Sequence, residues 1–206
     1  RDFCLSRGLG DVYKRQPNIT LEDYHIINQN SQSARYEYLD GELRMLAGGS
    51  ADHSTITANL TGILYGLLRG GPCKVYNPDM QLQLSESRYV FPNVTVTCDP
   101  RDEAPEDSKT HYPTVVIEVL SPSTETTDRE KKLLYYQAHP TIQEYMMADS
   151  QSILIEIYHR EKSRWTFSIY KLEDEVQLES LGIRFPVRDV YEKTGLLRKH
   201  RSSSQS

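Results

Sequence analysis

Long hydrophobic runs are missing from this chain. None approaches the roughly 18–20 apolar residues that cross a bilayer, so no membrane partner is expected. Cysteine is scarce. Cys4, Cys73 and Cys98 make an odd count without a CxxC pair. That speaks against a disulfide framework or a structural zinc site, and makes a reducing cytoplasm the simpler setting. GxGxxG, P-loop and HExxH motifs are absent, and the six histidines lack zinc spacing. Ser121 and Ser123 have no nucleophile-elbow context, which argues against a serine hydrolase. The single tryptophan, Trp165, alternates with other residues in strand-like runs, as Tyr158 and Tyr170 do. Sheet-face packing is the expected role for all three, ahead of base stacking. Positive charge is in deficit, with 24 Lys and Arg against 29 Asp and Glu, a net charge of −5. A protein that coats nucleic acid is disfavoured, whereas a local basic cleft stays open.

At 206 residues, 37% hydrophobic and 26% charged, the chain has the composition of one soluble globular domain with a core of its own. Residues 1–16, RDFCLSRGLGDVYKRQ, have neither helical nor strand periodicity and no signal-peptide core. They read as a non-native, adapter-derived extension. Their four basic and two acidic residues leave a net charge of −7 on residues 17–206. The expected folded unit is 17–196, and 197–206 forms a polar, basic tail expected to fray.

Regular signals begin after Pro17. Thr20, with Asp23 three residues on, caps a short amphipathic helix. Asp40–Gly41 joins two alternating strands as a hairpin. Ile56, Leu60, Ile63, Leu64, Leu67 and Leu68 recur at helical spacing before Gly70–Gly71. Strand-like runs CKVYN, MQLQLS, YVFPNVTVTC and TVVIEVL come next, the third read as one strand that Pro92 makes an edge strand or a bulged one. Thr127 and Glu130 predict the cap of a second long helix. EYMMAD, ILIEIYHR and WTFSIYKL complete the strands. This order predicts an α+β fold, one mixed central sheet flanked by helices.

Glu118 stands alone among apolar residues in VVIEVLSPST, where desolvating a carboxylate is costly unless a cation meets it. The plainer alternatives are an exposed strand face or pairing with an arginine. Asp128, Lys132 and Tyr136 come next at i, i+4 and i+8 on one helical face. A lysine there can reach the space before Glu118, orient a water and stabilise developing negative charge.

RYEYLDGELRML, DHSTITANL, VYNPDMQLQL, YVFPNVTVTCD, VVIEVLSPSTETTDREKKLLYY and EYMMAD, in that order, resemble the Uma-two family of restriction endonucleases over about residues 17–195. The resemblance implies a PD-(D/E)XK core, Mg²⁺ (or Mn²⁺) as cofactor and DNA as substrate. It places the metal between position 93 and Glu118. Leu120 stands at the usual lysine position, and Lys132 on the next helix takes that role. Glu37 and His53 match positions lining the same cleft, although their local sequence alone reads as a hairpin surface and a helix start. Position 93 departs from the family: Asn93 stands where an Asp is expected, offering a carbonyl oxygen but no charge. Asp79, also after a proline, ranks second as the completing acid, and Asp99 reads as a loop acid. The implied activity is metal-dependent DNA cleavage impaired at Asn93. An inactive DNA-binding or protein-interaction module is the alternative. Cutting both strands suggests a homodimer by analogy.

Overall fold

Asp40 and Gly41 both adopt positive φ, 52° and 95°. Paired positive φ is the two-residue turn geometry that matches strand twist, and it joins β1 (Tyr36–Leu39) to β2 (Glu42–Met45) as the sequence predicts. The computed structural model describes residues 18–31, 34–46, 48–102 and 109–203; the proposed extension, residues 1–16, lies outside these. The Thr20–Asp23 capping box opens α1 (Leu21–Asn30). This helix buries Tyr24 against Tyr38 and Tyr89, with ring centroids 5.0 and 5.4 Å away.

The expected single sheet is two large mixed sheets and a ribbon among the described residues. The first has the order β2-β1-β5-β4-β7, with β4 Gln81–Ser85, β5 Arg88–Val90 and β7 Lys109–Thr110. The second runs β11-β10-β9-β8-β6-β3. Its strands are β3 Lys74–Tyr76, β6 Val94–Thr97, β8 Val115–Leu120, β9 Glu144–Asp149, β10 Ile155–Glu161 and β11 Arg164–Tyr170. The ribbon pairs β12 (Glu175–Leu178) with β13 (Ile183–Pro186). YVFPNVTVTC is therefore two strands in different sheets. Pro92 has no N–H to continue a ladder, and Phe91–Pro92–Asn93 carries the chain from one sheet to the other.

Every residue of β8 is buried, with β9 parallel on one side and β6 antiparallel on the other. Val115, Ile117 and Val119 join the core under α2 (Ala51–Leu68), whose Ile56, Leu60 and Leu64 are fully enclosed. Val116 and Leu120 face a second core with Leu39, Leu82, Tyr136 and Tyr145. Glu118 has the same strand parity as this second set, so the exposed-face reading of it does not hold.

The second helical stretch starts earlier than its sequence cap suggested. Ser121 O accepts from Thr124 N and Glu125 N, and helix α3 (Glu125–Thr127) already contains Thr127, which makes no side-chain cap. A π-helical turn (Asp128–Lys132) and α4 (Leu133–Ala138) continue it. At the other end α5 (Val187–Val190) docks on α2 through Asn59, whose amide donates to Val190 O and Glu192 O. Residues of the basic tail are helical as far as Ser203: α6 spans Gly195–Ser203, and Gly195 N donates to Asp52 Oδ1 at 2.8 Å.

A further correction concerns cysteine. The β3–β6 register sets Lys74 opposite Thr97, which places Cys73 beside Cys98, and the two sulfurs are bonded at 2.06 Å. Sequence spacing could not show this pair because 25 residues separate them and only strand register brings them together. One ground for expecting a reducing compartment is thereby removed. Among the described residues no helix is long and apolar enough to cross a membrane.

Leu60 and Leu67 lie on the same predicted stripe of α2, yet Leu60 is fully buried and Leu67 is 48% exposed. Leu60→Ala should destabilise the fold by about 2–5 kcal/mol. Leu67→Ala should stay within about 0.5 kcal/mol of the parent in urea denaturation.

Candidate active site

Local sequence chemistry explains how each wall of the site forms. The β1–β2 hairpin brings Glu37 inward, where it is 2% exposed. β8 carries Glu118, and the π turn carries Asp128 and Lys132. A π turn closes i→i+5 bonds and locally widens the helix; here Leu133 N reaches Asp128 O. Asp128, Lys132 and Tyr136 still share the side facing β8, as their spacing predicts.

Lys132 Nζ lies 2.8 Å from Glu37 Oε1, 2.9 Å from Glu118 Oε1 and 3.2 Å from Asp128 Oδ1. Three carboxylates surround this ammonium, which donates to Glu118 and is ion-paired with Asp128, and its side chain is 5% exposed. Glu118 Oε1 also accepts from Tyr136 Oη at 2.8 Å, and Glu37 Oε1 from Phe91 N at 3.1 Å. Glu118 pairs with a lysine, not the arginine of the plainer reading. Burial, the largest influence, raises the Glu118 carboxyl, Lys132 pulls it down, and Asp128 and Glu37 raise it, leaving it at about 7. Burial alone would lower the Lys132 ammonium, but Glu118, Glu37 and Asp128 outweigh that and hold it well above its ordinary value. Lys132 therefore stays charged and cannot act as a general base. In this arrangement it clamps the carboxylates together.

Asn93 lies one residue before β6. Its side chain takes up a ladder position just past the Val94–Ile117 pair, with Oδ1 accepting from Val119 N at 2.8 Å. A backbone N–H can only donate, so the amide oxygen must face it. The amide nitrogen is thereby turned to Thr57 Oγ1, 3.2 Å away, and lies 3.4 Å from His53 Nε2. Burial lowers the His53 pKa, opposed by a backbone hydrogen bond at Val119 and by the Asp128 charge.

Glu118, Asp128, Lys132, Asn93 and His53 all line one open cleft of about 1080 Å³. One wall is the small-residue face of α2, including Ser54, Thr57, Ala58 and Thr61. Four of the five sequence candidates thus meet at the cleft, with Glu37 behind Lys132. The i, i+4, i+8 spacing puts Asp128 on the right helical face but assigns it no role of its own. Thr57, one turn after His53, carries no signal in the sequence beyond that spacing. Asp79 is on an exposed turn, 2.7 Å from Arg35, and does not line the cleft although Asn77 and Pro78 do. Asp99 is a loop acid, held at about 2 chiefly by hydrogen bonds from Arg101.

The pair Asn93 and Glu118 does not fit Mg²⁺ as arranged. A hard cation needs oxygen ligands; the only side-chain oxygen of Asn93 is engaged by Val119, and the group turned to Thr57 and His53 is an NH₂ donor. Among the described residues no three His, Cys, Asp or Glu side chains are arranged to hold a metal ion.

A buried ammonium–carboxylate cluster opens on a cleft where the hairpin, the interior strand β8 and the π turn meet, within mixed sheets flanked by helices of a nuclease-like fold. The Uma2 family model, described as "Putative restriction endonuclease", matches residues 21–188, and the chain belongs to that family. An uncharacterized Synechocystis protein, slr1290, is 37% identical over 177 residues, covering 85% of this chain and 92% of that one. A second from the same organism, sll1609, is 28% identical over 144 residues, 69% of this chain and 81% of its own. A crystal structure from Anabaena variabilis ATCC 29413, described as a "putative nuclease belonging to DUF820", superposes with a TM-score of 0.64 at 17% identity. It covers 76% of this chain and 89% of its own, a likeness in fold.

The raised Glu118 pKa has a consequence for stability. Between about 4.5 and about 7 the folded protein holds a proton that the unfolded chain has released. That stabilisation is complete below 4.5 and is lost as pH rises through about 7. Glu118→Gln should remove from urea unfolding between pH 5 and 8 a contribution that falls with pH, whereas His53 and His139, whose pKa values burial lowers, contribute in the opposite direction.

Proposed function

We propose that this chain is a DNA endonuclease of the restriction-endonuclease-like class whose phosphodiester hydrolysis is held down by Asn93. Family membership and the cleft beside Glu118 support the class. The observation that carries the impairment is the Asn93 amide: oxygen on Val119 N, nitrogen toward Thr57 and His53. An aspartate in the same place would keep one oxygen on Val119 N and turn the other toward the cleft. Cleavage is expected to require Mg²⁺ or Mn²⁺, as the resemblance implies. Glu37 and Asp128 hold Lys132, and Lys132 with Tyr136 holds the Glu118 carboxylate at the cleft floor. Thr57 and His53 stand where they can meet a phosphodiester lying over that floor. Two copies would supply the two cuts of a duplex.

One observation favours a second reading, a nuclease-fold module without nucleic-acid affinity. The lysine and arginine lining the cleft are Lys132, surrounded by carboxylates, and Arg35, paired with Asp79. Salt separates the readings. DNA retention that is present near 50 mM salt and lost near 200 mM marks phosphate contacts; no retention at either sinks the endonuclease reading.

The deciding assay compares the natural chain, Asn93→Asp and Glu118→Ala on plasmid DNA with Mg²⁺ or Mn²⁺. Asn93→Asp should cut about 100-fold faster than the natural chain, beyond what lost supporting contacts cost elsewhere. Glu118→Ala should not cut. Equal cutting by the natural chain and Asn93→Asp would remove position 93 as the cause.

A further inference from the structure

At the cleft three carboxylates share one ammonium, and the arginine lining it, Arg35, is paired with Asp79. A DNA backbone brought over such a floor needs cations beside it. The sequence concentrates them at one end. Residues 193–206 contain Lys193, Arg198, Lys199 and Arg201 and no acid, which leaves a net charge of −9 on residues 1–192. The fold makes part of this run a fixed surface. Thr194, fully buried, caps α6: its hydroxyl accepts from Leu197 N at 3.2 Å and donates to Tyr191 O at 2.6 Å. Leu197 is buried and Leu196 packs against the main core, while Lys193, Arg198 and Lys199 are exposed. Lys193 and Arg198 line one surface pocket with a single acid, Glu192. The anchor of this surface adjoins the cleft. Gly195 N donates to Asp52 Oδ1 at 2.8 Å, and the next residue of α2, His53, lines the cleft.

We infer that α6, with Lys193 before it, is a phosphate-gripping surface that holds the backbone of duplex DNA beside the His53 end of the cleft. It supplies from outside the cleft the positive charge that the carboxylate cluster takes up inside it. The inference deepens the endonuclease reading and rests on it for the identity of the polyanion. DNA fits this surface better than an anionic membrane does. A basic helix that lies on a bilayer buries an apolar face there, whereas both leucines of α6 are turned to the protein core.

Binding of a fluorescent DNA duplex to the full chain without divalent ion, followed by anisotropy between about 50 and 200 mM salt, tests it. The natural chain should bind. Arg198→Gln/Lys199→Gln should bind about tenfold or more weakly near 50 mM, with a log–log salt slope shallower by about 2. Lys162→Gln/Arg164→Gln takes the same charge from the exposed β10–β11 turn and should stay within about threefold of the parent. Far-UV circular dichroism and the unfolding temperature control for the fold. Unchanged affinity and slope in the first pair, or an equal loss in the second, overturns the surface and leaves the endonuclease reading standing. Retention on phosphatidylglycerol vesicles but not on DNA overturns the partner. Should the α6 variant fail to fold, lysine acetylation of the natural chain decides instead. DNA should protect Lys193 and Lys199 and leave Lys162 reactive; equal protection of all three, or none, overturns the assignment. A chain that holds DNA through α6 and never cuts, even as Asn93→Asp, keeps this surface and loses the endonuclease reading. No DNA binding at any salt overturns both.

Discussion

The Lys132 ammonium is the contact on which the centre of this molecule depends. It is the meeting point of the β1–β2 hairpin, the buried strand β8 and the helical stretch after it, through Glu37, Glu118 and Asp128. Those elements belong to different sheets and layers, and an isolated buried charge on any of them would be unfavourable by several kcal/mol. Together they are tolerable because all three carboxylates lie within 3.2 Å of the same ammonium. Removing the lysine would leave three like charges enclosed; removing any one acid would leave a cluster closer to neutrality. The arrangement is thus more sensitive at its cation than at its anions.

Beside this cluster the chain changes sheets. Phe91 N binds Glu37, and the Asn93 side chain binds Val119 N, two residues apart across a proline. The crossover is therefore fastened both to the hairpin and to β8, and position 93 has a structural task whether or not it carries charge. Asn93, standing where the resemblance implies an Asp, is therefore compatible with the fold. The amide meets the ladder requirement as a carboxylate would, and differs only in the group turned toward Thr57 and His53.

Much of the site was legible in the sequence because it is written in local patterns. A lone acid in an apolar run, an i, i+4, i+8 row and an Asp–Gly turn each reflect short-range geometry, and Glu118, Lys132 and the Glu37 hairpin could be named from them. The reading failed where long-range register decides. Cys73 and Cys98 become neighbours only through β3–β6 pairing, one apparent strand became two at Pro92, and Leu67 on a periodic stripe lies at the edge of what α2 covers.

What the sequence alone determined is the set of elements, the α+β class and the family, since periodicity, caps and motif order survive without knowledge of contacts. Only the tertiary structure decided what the charges do. Whether Asn93 turns an oxygen or an amide toward the cleft depends on which backbone N–H stands opposite it in β8. The ion pair of Asp128 with Lys132 depends likewise on how the π turn packs beside Glu118 and Tyr145. Both are questions of a few ångströms between segments far apart in the chain, a distance scale that residue spacing does not encode.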